Sequence, residues 1–200
     1  MDIVVKLASE FVTKLLNEKL PSEFKYHNLV HAREVFAAVT ELGKNSNLSD
    51  EELEIIQLAA WFHDTGFIKG YLNHENKSIE ILKEYLINIS YPESKIDRIS
   101  DIIIITEKGA TPSDISEKII RDADILHIGG EDFYIKSLTL KSEWEIIGLK
   151  KFTDSEWLKS SLEFINKTFF FTDYAKSKYE AGRQKNITRL QEMMEKLNPS

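Results

Sequence analysis

Apolar residues recur along this chain at intervals of three and four, and no segment alternates convincingly with period two. That spacing builds amphipathic helices and leaves nothing from which to assemble a sheet. Glycine and proline, which interrupt helices, number only 8 and 4 in 200 residues. The expected fold is therefore all-α, a helical bundle in a single domain over residues 1–200.

The pattern predicts where the helices lie. The first runs from Ile3 to Leu20, with Val4, Leu7, Ala8, Phe11, Val12 and Leu15 on one face, and Pro21 stops it. A second spans about Asn28 to Leu42 and ends at Gly43; His31 shares its apolar stripe with Val35, Ala38 and Leu42. Ser49 and Glu52 form a capping box for a third helix, which carries Leu53, Ile56 and Ala60 inward and leads to His63 and Asp64 before Gly66. Further helices are expected at about 76–89 and 92–106, the latter isoleucine-rich and central. Thr111 followed by Pro112 suggests a start with proline in the first helical position, closed by Gly129-Gly130. Capping signals at Ser142/Glu145 and Thr153/Glu156 precede a helix through Phe164 and a charged one from about Asp173 to Leu197.

Composition removes several functions. Thirty-three acidic against 26 basic residues give a net charge of −7, contrary to the basic face that a nucleic-acid partner needs. Lys176, Lys178, Arg183, Lys185 and Arg189 are interspersed with Asp173, Glu180, Glu192 and Glu195, and read as a solvated helix face. Without cysteine there is no disulfide, no thiolate nucleophile and no thiolate-held metal. The longest apolar run, Ile102 to Ile105, is far short of the ~18 residues a membrane span requires, and the N-terminus lacks the marks of a signal peptide. A cytoplasmic protein without membrane partners is expected.

All five histidines, His27, His31, His63, His74 and His127, fall in the first two thirds of the chain. His31, His63 with Asp64, and Asp124 belong to three different helices, each on an inward face. Imidazole and carboxylate together are ligands for divalent cations, and carboxylates on apolar faces are costly unless a cation or strong donors neutralise them. No glycine-rich phosphate loop, nucleophile elbow or HExxH pattern competes.

The series Tyr26-His27-Asn28 with His31, Phe62-His63-Asp64-Thr65-Gly66-Phe67, Asn73-His74-Glu75 and Asp122-Ala123-Asp124-Ile125-Leu126-His127 resembles the HD superfamily of metal-dependent phosphohydrolases, named for the adjacent His-Asp pair. The likeness is to the small stand-alone bacterial members. Its core motifs span residues 26–127, followed by C-terminal helices over 131–197. The resemblance implies His31, His63, Asp64 and Asp124 as ligands of one divalent ion, drawn from Mn, Fe, Co, Ni, Zn and Mg. Asp122 is the rival for the last place; Asp124 is preferred because Asp124-Ile125-Leu126-His127 matches the DxLH register of the HD-type guanosine polyphosphate hydrolases.

Two features depart from the family. The isoleucine-rich helix offers Thr106 where two-metal members place further histidines, which favours one metal, and residues 65–72 hold no acidic residue to handle a proton. His74 or Glu75 is then considered for that role. The catalytic set becomes Asp64, His74 as proton or hydrogen-bond donor, and Lys69 as a charge for the substrate phosphate. His27 supports the site from outside the metal ligands, contacts substrate, or is merely packed. The implied activity is hydrolysis of a phosphate ester or anhydride in a small metabolite, foremost a nucleotide, by a chain that could form a homo-oligomer. A catalytically silent module that binds or senses a nucleotide is the alternative.

Overall fold

The structure, a computed structural model, describes residues 3–197. Among these it has nine α-helices and no strand: α1 (Ile3–Lys19), α2 (Leu29–Asn45), α3 (Asp50–Phe62), α4 (His74–Asn88), α5 (Glu93–Ile104), α6 (Ile115–Asp124), α7 (Phe133–Ile146), α8 (Asp154–Lys167) and α9 (Asp173–Leu197). Two short 3-10 helices, Thr65–Lys69 and Leu126–Gly129, follow α3 and α6. No helix among the described residues is long and apolar enough to cross a membrane.

Local chemistry sets most of the boundaries. Asn28 caps α2 by accepting the Val30 amide, and the capping boxes Ser49/Glu52 and Thr153/Glu156 both form. Other expected boundaries are corrected. Helix α2 runs past Gly43 to Asn45, because that glycine lies against Leu53 and Ile56 of α3, where a Cβ would come within 2.9 Å of Leu53. Pro112 is not in the first turn of α6: the helix starts at Ile115, and Asp114 accepts the Glu117 amide at 3.0 Å. That helix ends at Asp124, well before Gly129-Gly130. Ser142 lies inside α7 and starts nothing.

The chain divides into two compact units, one holding α1 to α6 and the other α7 to α9 with the segment Glu23–Tyr26. In the first, the core includes Val39, Leu42, Ile56, Phe62, Leu82, Ile99, Ile102, Ile103, Ile119 and Ile120, all fully buried. Side-chain contacts give the helix directions. Lys95 of α5 pairs with Glu51 of α3 at 2.9 Å, which brings the starts of these two helices together. Arg98 of α5 reaches Asp114 and Glu117 at the start of α6, and Arg121 donates to the carbonyls of Ile105, Thr106 and Glu107 just past the end of α5. Helix α2 opposes α3, with Gly43 against Leu53 at one end and His31 beside His63 at the other. The C-terminal ends of α3 and α6 and the N-terminal end of α2 therefore gather in one place.

Helix α4 enters the same place through Gly66. A Cβ there would lie 2.0 Å from the His74 carbonyl oxygen, so only glycine permits the approach. Ser78 locks it by accepting the Gly66 amide at 2.8 Å and donating to the His63 carbonyl at 2.6 Å.

In the second unit, Trp157 of α8 donates to Ser137 of α7 at 2.9 Å, and Asn186 of α9 donates to the carbonyls of Ile128 and Gly130. Arg183 corrects the expectation of a fully solvated face on α9. It is 3% exposed, pairs with Glu180 and donates to the Ile165 carbonyl at 2.6 Å.

Candidate metal centre

His31, His63 and Asp124 each aim one ligand atom at a common point, all within 4.8 Å of one another. His31 Nε2 lies 3.1 Å from Asp124 Oδ1 and 3.4 Å from His63 Nε2, and His63 Nε2 lies 3.7 Å from Asp124 Oδ1. Asp64 closes the group, with Oδ2 at 3.2 Å from His63 Nε2 and 3.4 Å from His31 Nε2. Two nitrogens and two carboxylate oxygens thus converge from α2, the end of α3 and the end of α6.

The helices explain the convergence. His31 sits in the first turn of α2 on its buried stripe, and His63 is the residue capping the C-terminus of α3. His63 Nδ1 is 2.9 Å from the Ala60 carbonyl oxygen, an acceptor that fixes a proton on Nδ1 and leaves Nε2 facing the cluster. Asp124 ends α6, where the helix dipole is negative and repels a carboxylate.

Electrostatically the cluster is unfinished. Burial opposes charge on His63, but the Asp64 and Asp124 carboxylates outweigh it and hold the imidazolium well above its ordinary range. Burial likewise pushes the Asp64 and Asp124 carboxyls up, and the neighbouring histidines overcome it and bring both below the usual carboxylate range. Even so, Asp64 Oδ2 is buried without a hydrogen-bond partner among the described residues. A buried carboxylate oxygen left open, 3.2 to 3.4 Å from two imidazole nitrogens, suits a divalent cation of the kind that takes mixed nitrogen and oxygen ligands.

The other expected site residues divide. His74, the first residue of α4, stands at the rim with Nε2 3.6 Å from Asp64 Oδ1 and Nδ1 3.2 Å from the Tyr71 carbonyl oxygen. Lys69, at the end of its 3-10 helix, pairs with Glu80 at 2.9 Å and is half exposed. Asp122 is fully buried but outside the converging set. His127 belongs to the second unit, where its ring meets the Tyr26 hydroxyl at 3.2 Å. Phe67 escaped the sequence reading as anything but part of a motif, yet its ring stacks on His74 at 4.0 Å and on His27 at 4.5 Å. Only the alternation of aromatic and imidazole residues on either side of the His-Asp pair hinted at it.

The model of the HD domain matches residues 28–129, just over half the sequence, and this chain belongs to that family. Solved structures agree on the fold over nearly the full length. YpgQ of Bacillus subtilis, solved in complex with ADP, is 19% identical with a TM-score of 0.69, covering 98% of this chain and 95% of that one. A predicted HD superfamily hydrolase from an uncultured Thermotogales bacterium is 16% identical with a TM-score of 0.63, covering 94% and 92%. A Lactobacillus plantarum protein is 16% identical with a TM-score of 0.68, covering 96% and 95%. No curated protein matches the chain.

Proposed function

We propose that this protein is a metal-dependent phosphohydrolase that cleaves a phosphate ester or anhydride of a small metabolite, foremost a nucleotide. The observation that carries the reading is the open charge of the cluster: a buried Asp64 oxygen with no hydrogen-bond partner beside two imidazole nitrogens and a second carboxylate. His31, His63, Asp64 and Asp124 would hold one divalent ion. Such an ion lowers the pKa of a bound water from 15.7 towards ~7 and offsets charge on the phosphoryl oxygens.

The remaining roles fall to the chain's own groups. The Ala60 carbonyl keeps His63 Nε2 available as a ligand. His74, at the rim beside Asp64, would donate a hydrogen bond to the phosphate or a proton to the leaving oxygen. Lys69 would leave Glu80 to meet a substrate phosphate. A single ion is favoured because the isoleucine-rich helix α5 is followed by Thr106 where two-metal members of the family place further histidines. The ADP bound by the B. subtilis relative supports a nucleotide as substrate.

The test is a panel of nucleotides screened for phosphate or pyrophosphate release with Mn, Co, Ni, Zn and Mg, alongside elemental analysis. About one transition ion per chain is expected, lost in His63→Ala and Asp64→Ala. His74→Ala should keep its metal and its Tm but lose at least about tenfold in turnover. Saturable nucleotide binding with no release by any metal would make this a binding module instead.

A further inference from the structure

The Phe67 ring is 1% exposed and lies nearly parallel to two imidazoles, 18° from His74 and 29° from His27. With centroids 4.0 and 4.5 Å away, both rings are too close to share one face of the phenyl group. They stack on opposite faces, and the three rings form a column beside Asp64. Tyr71 leans on the edge of Phe67 at 5.7 Å, and its carbonyl oxygen faces His74 Nδ1. The direction of His74 Nε2 towards Asp64 is thus set by that carbonyl and by the plane of Phe67. What holds the far side of that plane is His27, just before α2, whose ring also meets His31 edge-on at 5.9 Å.

We propose that His27 is a positioning residue, which acts through the flat face it lays on Phe67 and, through that ring, fixes the imidazole of His74. The proposal rests on the reading of His74 as the donor at the rim. Without His27, one face of Phe67 loses its stacking partner, the phenyl plane can tilt, and His74 tilts with it. A donor displaced by a fraction of an ångström meets the leaving oxygen less often, while metal and substrate bind as before.

The experiment compares His27→Ala with His27→Phe, which keeps a ring on Phe67 but has no nitrogen. In the Mn-loaded protein, with the best nucleotide of the panel, His27→Ala is expected to lower kcat about three- to tenfold with KM, Mn affinity and Tm unchanged. His27→Phe should return kcat to within about twofold of the parent. A second readout needs no turnover: the carbon-bound proton resonances of the His74 ring, displaced by the ring current of Phe67, should move in His27→Ala and stay in place in His27→Phe. His27→Phe as impaired as His27→Ala would show that the nitrogens matter and overturn the proposal. Unmoved His74 resonances in His27→Ala would overturn it as well. If no nucleotide is cleaved, the phosphohydrolase reading fails by itself, and the resonances alone decide whether the column positions His74.

Discussion

Helix α6 carries a carboxylate near each end, Glu117 buried and Asp124 half-buried, and treats the two in opposite ways. Near its start, Glu117 accepts the Ser113 amide at 2.7 Å and the Ser113 hydroxyl at 2.8 Å and pairs with Arg98 at 3.3 Å. A negative charge there also suits the positive end of the helix dipole. At its other end, Asp124 faces the negative end of the same dipole, and its partners among the described residues include His31 and His63, whose charge depends on a proton. A fixed guanidinium closes the first site permanently. Among the described residues the second is balanced by imidazoles, which can give up a proton and would then be free to act as ligands, as the proposed cation site requires.

Breaking the open end should have the larger effect on function and the smaller one on fold. Asp124→Asn would remove a proposed anionic ligand, and metal affinity is expected to fall at least about 100-fold, read by calorimetric titration with Mn. Asp122→Asn is the control. Two residues apart on a helix means about 200° of rotation, so both carboxylates cannot serve one ion without distorting α6. Asp122→Asn should therefore retain most of its affinity, and the reverse pattern would move the ligand to Asp122.

The closed end should show the converse. Burial pushes the Glu117 carboxyl up, but the Ser113 amide and hydroxyl and the Arg98 guanidinium outweigh it and hold it below its ordinary 4.5. Since the folded-state value is depressed, this group's contribution is fully present above about pH 4.5 and is lost as pH falls through the folded value. Glu117→Gln is expected to cost about 2 kcal/mol at neutral pH, since hydrogen bonds to a buried charged group are among the stronger ones. Chemical denaturation followed from pH 7 to pH 3 should show the gap between parent and variant narrowing in acid, with metal content unaffected throughout. A gap that stayed constant with pH would mean that the carboxylate charge is not what Arg98 and Ser113 stabilise.

These contrasts also show what could be read in the sequence. Residue type and spacing carried the helices and the cluster, because burial of His31 on the stripe of Val35, Ala38 and Leu42 and the placement of His63 at a helix end both follow from a 3.6-residue period. Choosing Asp124 over Asp122 needed the family register as well as the period. What stayed hidden depends on contacts between distant segments. Gly43 resembles a helix stop, yet α2 continues because Leu53 and Ile56 fill the space beside it. Ser142 with Glu145 has the spacing of a cap but sits mid-helix. The Arg98 bridge to Glu117, and the column that joins His27 to His74 through Phe67, link residues whose separation in sequence carries no periodic signal.

Beside the open and the closed ends of α6 stands a third kind of charge, the exposed pair of Lys69 and Glu80. Its side chains are 46% and 66% exposed, so solvent screens their attraction and the 2.9 Å contact is worth no more than ~0.5 kcal/mol. Lys69→Ala should accordingly leave Tm almost unchanged. The same weakness would let the ammonium exchange Glu80 for a phosphate at little cost. If it does, Lys69→Ala raises KM for the nucleotide about two- to fivefold with kcat intact, the modest effect of one partly screened charge. Glu80→Gln should then act in the opposite direction, lowering KM, because it removes the competitor that holds Lys69 away from substrate. Initial-rate kinetics on the two variants at low and high salt check both signs, and the differences should shrink as salt rises. Two variants indistinguishable from the parent in KM would leave Lys69 a surface residue of the Thr65–Lys69 turn, with phosphate charge met at the cluster alone.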